Sequence, residues 1–176
     1  MIRTCSPRRR ILAWAMAVAL VPICAHAQSE RTRVVWDVTR GVLLDPTTYA
    51  PATLAYTAQR LDWKSSQVFF EHGWLERNKL FTVSGRPNDV PVTYRAGVRV
   101  IRRNALSIFQ ASIVNNYAAG VGERLLLGRY PTRRRLWRGI AWAERIAFAS
   151  YLSYVSSAEH WRQIKRNGRL VEQYGY

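Results

Sequence analysis

Residues 98–128 read VRVIRRNALSIFQASIVNNYAAGVGERLLLG, and residues 132–157 read TRRRLWRGIAWAERIAFASYLSYVSS. In the first stretch Ile101, Ala105, Ile108, Phe109, Ile113, Tyr117, Val121 and Leu125 recur at steps of three and four, the spacing of one face of an α-helix. In the second, Trp137, Ile140, Phe148, Tyr151 and Val155 make a comparable stripe. Between them Tyr130-Pro131-Thr132 interrupts the pattern, because proline cannot continue a helix that precedes it. Two long helices joined by a few residues pack as an antiparallel hairpin. The pair therefore predicts an all-α fold, a helical bundle built on a hairpin of about 98–128 and 132–157, with shorter helices packed across it.

Upstream, Asp45-Pro46 is a helix start, since Asp accepts from free backbone N–H groups and proline is tolerated at the first helical position. This helix is expected to run to about Arg60. Asp62 is expected to cap a second one that carries Trp63, Phe70 and Trp74 and ends near Gly73. Residues 34–44 show no clean period and are left unassigned. Residues 78–97 contain Ser84-Gly85-Arg86-Pro87-Asn88-Asp89-Val90-Pro91 and read as a long loop, either a functional surface or a mobile connection. Downstream, Ser156-Ser157 is expected to kink the last helix and Asn167-Gly168 to stop it. The hairpin reads as a soluble core rather than a membrane span. Its apolar windows hold Gln110, Asn115, Asn116, Glu144 and Arg145, and one charge near a bilayer centre costs about 2.5 to 3.5 kcal/mol.

The N-terminal region, residues 1–27, has the three parts of an export signal. Arg3, Arg8, Arg9 and Arg10 precede an apolar run from Ile11 to Cys24, and Ala25-His26-Ala27 offers a small-residue cleavage site before Gln28. Cleavage would leave residues 28–176 as a single basic helical domain in the periplasm or outside the cell. Both cysteines, Cys5 and Cys24, would leave with the signal, so that domain could hold no disulfide and no thiolate. Loss of the four arginines with no acid takes the formal charge from +16 to +12. Such a balance reflects either composition alone or an anionic partner in the envelope, which Arg can bind bidentately through phosphate or carboxylate. No specific nucleic-acid signal is present.

Glu144 is the residue with the most chemical content. Steps of three and four from Trp137 through Ile140 reach it, so it falls inside an apolar stripe. Folding the hairpin near Pro131 places it opposite Tyr117 and Ala118, within a turn of Asn115 and Asn116. Two readings follow: a hydrogen-bonded polar core cluster of Asn115, Asn116 and Glu144, or a general acid whose pKa burial raises. Two Glu-Arg pairs, Glu123-Arg124 and Glu144-Arg145, call for ion pairing between helices, because sequence neighbours do not face each other on one helix. Glu123 is expected to reach Arg135 or Arg138. Arg133, Arg134 and Arg135 sit in a first helical turn, where the helix dipole disfavours cations, and with Arg138 they form a basic patch. Glu71-His72 and Glu159-His160 pair potential metal ligands, but adjacent helical residues diverge by about 100°. The sequence calls for no cofactor and no metal, and it contains no serine-hydrolase elbow or phosphate-binding glycine loop. It thus predicts a non-enzymatic binding or structural protein of the cell envelope. The alternative is a small wall-active hydrolase with Glu144 as acid.

Overall fold

Asp45 accepts a hydrogen bond from the Thr47 backbone N–H at 2.9 Å, and Pro46 occupies the first helical position. That cap separates the first two helices of the structure, a computed structural model that describes residues 25–176. The stretch read as an export signal lies almost wholly outside the described residues. Helix α1 is Ala25–Leu44, α2 Pro46–Glu71, α3 Tyr94–Arg129 and α4 Arg134–Tyr174, with 3-10 turns at Lys79–Phe81 and Pro131–Arg133. The chain divides after Asp37, and the geometry below belongs to the unit Val38–Tyr176.

The all-α bundle is observed, with no strand among the described residues. Helices α3 and α4 form the expected hairpin across Tyr130–Arg133, and α2 lies along both of them, packing on each more extensively than they pack on one another. Three boundaries differ from the sequence reading, for one physical reason. Once a helix is nucleated, each further residue adds a hydrogen bond for little entropy, so weak stop signals are overrun. Helix α2 runs straight through Asp62, whose carboxylate meets His160 at 2.7 Å and caps nothing. Helix α4 continues past Ser156 and Ser157, whose hydroxyls donate to the Leu152 and Ser153 carbonyls one turn back. It also passes Asn167-Gly168 and ends at Gly175, where φ is 73°. Residues 34–44, unassigned from sequence, complete α1.

The connection spans residues 72–93, beginning and ending earlier than the 78–97 read from the sequence. Two isolated antiparallel bridges, Glu76 to Asp89 and Thr82 to Pro91, close it into an irregular hairpin, and Thr93 caps α3 four residues before the expected end. The hairpin carries Phe81 into a cluster with Trp63 and Ile101. Trp63 stacks at 5.0 Å from the Phe81 ring and donates its indole N–H to the Tyr94 carbonyl at 3.2 Å. Gly97 makes this possible, because a Cβ at that position would overlap the indole.

Helix α4 turns inward only part of its expected stripe: Trp137 and Phe148 are half-buried. Its buried row is Ala141, Ala149 and Ser157, with half-buried Arg145 and Ser153 completing the steps of four. Of the expected core stripe, Ile140, Tyr151 and Val155 are exposed. Small residues let the backbones of packed helices approach, and here they take the inner face in place of the larger side chains.

Candidate functional site

The polar cluster predicted around the hairpin exists with different members. Asn116 is 1% exposed, and its amide donates to the Thr47 hydroxyl at 2.9 Å and the Thr48 hydroxyl at 2.8 Å. Those hydroxyls pass their own protons on: Thr47 to the Asp45 carboxylate at 2.7 Å, Thr48 to the Val42 carbonyl at 2.7 Å. Asp45 lies 3.5 Å from Arg145, which donates to Glu123 at 2.8 Å. Arg138 approaches the other Glu123 oxygen at 3.9 Å. A chain of polar contacts thus links α3, the α1–α2 junction and α4, with Thr47 and Arg145 both turned on the Asp45 carboxylate.

Glu144 is no part of it. The side chain is exposed on α4, so the buried setting that the general-acid reading needs is absent. Its neighbour Arg145, about 100° round the helix, takes the inward position. A carboxylate and a guanidinium in sequence compete for one inward site, and Glu123 together with Asp45 selects the cation. Asn115 is half-buried, and its amide nitrogen has no partner. The expected cross-helix pairing is found in the Glu123–Arg145 bond, and Arg138 is the predicted residue that Glu123 also reaches.

A second set of polar contacts joins α2 to both α3 and α4 farther from the turn. Asn104 donates to Gln59 at 2.9 Å, His160 meets Asp62, and Asn167 donates to Ser65 and Ser66 at 2.8 and 3.1 Å. His160 is thereby committed to Asp62, while His72 stacks on the Tyr176 ring at 3.8 Å and Glu159 pairs with Arg162. The two Glu-His pairs do not build a common site. Among the described residues no group of three or more His, Cys, Asp or Glu is arranged to hold a metal ion.

Arg133, Arg134, Arg135 and Arg138 are all exposed beside the turn. A larger basic face escaped the sequence reading. Arg95, Arg99, Arg102 and Arg103 follow the steps of four, seven and eight that put side chains on one side of α3, and all four are exposed. Arg60 of α2 adjoins them through Tyr56, donating to its hydroxyl at 3.0 Å. Burial pushes the Tyr56 phenol up, but the hydrogen bonds and charges of Arg102 and Arg60 together outweigh it and hold the phenol below its ordinary 10.0. Among the described residues no ion pair reaches these five arginines. Their spacing was the available signal, diluted by a chain in which arginine recurs throughout.

Compared with protein-family models, curated proteins and solved structures, the chain matches none.

Proposed function

We propose that this chain is an exported protein of the cell envelope, whose helical domain binds rather than reacts and docks through its arginines on an anionic envelope component or partner protein. The observation that carries this reading is the α3 face of Arg95, Arg99, Arg102 and Arg103 with Arg60, exposed and without a carboxylate in reach among the described residues. Structural arginines such as Arg145 are neutralised by Glu123 and Asp45; these are not. Uncompensated charges on one face repel one another and raise the potential available to an anion. Export rests on the N-terminal pattern of basic residues, apolar run and Ala25-His26-Ala27. The seam of Asn116, Thr47, Asp45, Arg145 and Glu123 supports binding over catalysis, since these side chains are engaged with one another.

The test is co-sedimentation of residues 28–176 with isolated envelopes at low and high salt. Screening shortens the reach of exposed charges from about 30 Å at 0.01 M to about 3 Å at 1 M. Pelleting is expected at low salt and should be lost at high salt. Substituting Gln for Arg95, Arg99 and Arg103 should weaken it at low salt. Retention that ignores salt, or no retention at any salt, would overturn the reading.

A further inference from the structure

The outer face of α4 is the least expected surface of the molecule. Leu136, Ile140, Tyr151, Tyr154 and Val155 fall within about 60° of one direction on the helix, and all are exposed, Tyr151 by 65% and Tyr154 by 68%. Ala143 and Ala147 continue the stripe. It extends about 22 Å between Ile140 and Val155 at 1.5 Å per residue. Cations stand at both ends, all exposed: Arg133 in the 3-10 turn before it, and on the same face after it Lys165, Arg169 and Arg162, the last paired with Glu159. A row of aliphatic and tyrosine side chains between two basic ends is the pattern of a helix that lies in a lipid interface.

We infer that α4 docks lengthwise on an anionic phospholipid surface, with Ile140, Tyr151, Tyr154 and Val155 entering the headgroup boundary and the terminal cations on lipid phosphates. The inference rests on the proposed anionic partner and names it. Charge selects the occupant. A second copy laid on this stripe, parallel or antiparallel, would bring basic end against basic end. A soluble polyanion would satisfy the cations but leave the apolar row in water, whereas an anionic bilayer meets both. No described helix is long and apolar enough to cross a membrane, and Glu144 lies in the stripe beside Ile140. A carboxylate there is affordable at a hydrated interface and not in hydrocarbon, so α4 lies on the surface without crossing it. Tyrosine suits that depth, with an apolar ring and a polar tip.

The experiment places an environment-sensitive fluorophore on the full chain carrying Cys5→Ser and Cys24→Ser, at Tyr154→Cys or, as control, at Gln110→Cys on the outer face of α3. Both positions are exposed, so neither substitution disturbs the core. The apolar N-terminal run is common to both chains, and any tethering it causes affects both labels. On vesicles containing phosphatidylglycerol, emission from position 154 should shift to the blue and rise several-fold, while position 110, on the arginine-bearing side of α3, responds much less. Pure phosphatidylcholine vesicles should leave both unchanged. The inference is overturned if position 154 is silent, if the two labels respond alike, or if neutral vesicles act equally. A shift that grows with protein concentration without vesicles would overturn it in favour of a second copy. Inorganic polyphosphate supplies the remaining arm. Salt-sensitive binding to polyphosphate with a silent 154 label removes the lipid face and leaves the basic-surface reading; no salt-sensitive binding to either probe removes both.

Discussion

Toward the loop, the bundle is closed by Trp63, Phe81 and Ile101, large apolar side chains packed around a glycine. Toward the α3–α4 turn, the interior consists of Asn116, Thr47 and Thr48, backed by the Asp45–Arg145–Glu123 network. The two regions stabilise by different means. Removing apolar area from water is favourable in itself and tolerant of direction. Buried polar groups gain little net free energy when paired, yet leaving one unpaired costs the full desolvation of that group. The loop end therefore supplies driving force, and the turn end supplies register, because sliding α2, α3 or α4 would part Asn116 from Thr47 and Thr48 and Arg145 from Glu123 and Asp45.

The largest effect is expected at the apolar end. Trp63→Ala removes the centre of the cluster and the indole bond to Tyr94, and should cost about 3 to 5 kcal/mol in urea unfolding. A cost under about 1 kcal/mol would mean that the loop hairpin and α2 are not joined by this cluster. At the polar end Asn116→Ala should cost about 1 to 3 kcal/mol, since both threonine oxygens lose a donor in a buried site. If the polar substitution proved the costlier, the division into driving force and register would be reversed.

How much of this was legible in the sequence divides along the same line. The α3 core face was readable because Ile101 and Ile108 are large, apolar and periodic, and burial of such side chains is what periodicity reports. The α4 face was misread for the same reason: Ile140, Tyr151 and Val155 carry the stronger apolar signal, while Ala141, Ala149 and Ser157, which pack, carry almost none. Small residues are selected for backbone approach, a property of the neighbouring helix that one helix's pattern does not contain. The need for a polar cluster was readable from Asn115 and Asn116, but its partners Thr47 and Thr48 lie nearly seventy residues away and reach Asn116 only through tertiary folding. The continuation of α2 through Asp62 was hidden too, because His160, the alternative partner of that carboxylate, is ninety-eight residues distant.

A smaller effect should come from Asp45, which belongs to both local and tertiary structure. Asp45→Ala removes the α2 cap and one of the two carboxylates of Arg145, and should cost about 1 kcal/mol, the usual value of an N-cap. The double-mutant cycle with Arg145→Met separates the contributions. A coupling near zero would assign the residue to capping alone, and a coupling of about 0.5 kcal/mol or more would place it in the register network.

The smallest effect is expected where the sequence pointed most strongly. Glu144→Gln removes a carboxylate that, buried beside Asn116, would have been tied to the costliest polar site in the molecule. On the exposed face of α4 it makes none of those bonds, and the substitution should change stability by no more than about 0.5 kcal/mol. The contrast with Asn116→Ala, one helix away and at nearly the same level along the hairpin, measures what facing inward is worth. Arg145→Gln, at the next position in the chain, supplies the control, because it leaves Glu123 and Asp45 without their shared cation in a site where each is roughly one-fifth exposed or less. If Glu144→Gln and Arg145→Gln destabilise alike, α4 is rotated in solution from the orientation described, and the aromatic row falls into the core. If only the arginine matters, the inward seam of small and polar residues stands, and Ile140, Tyr151 and Val155 remain a surface.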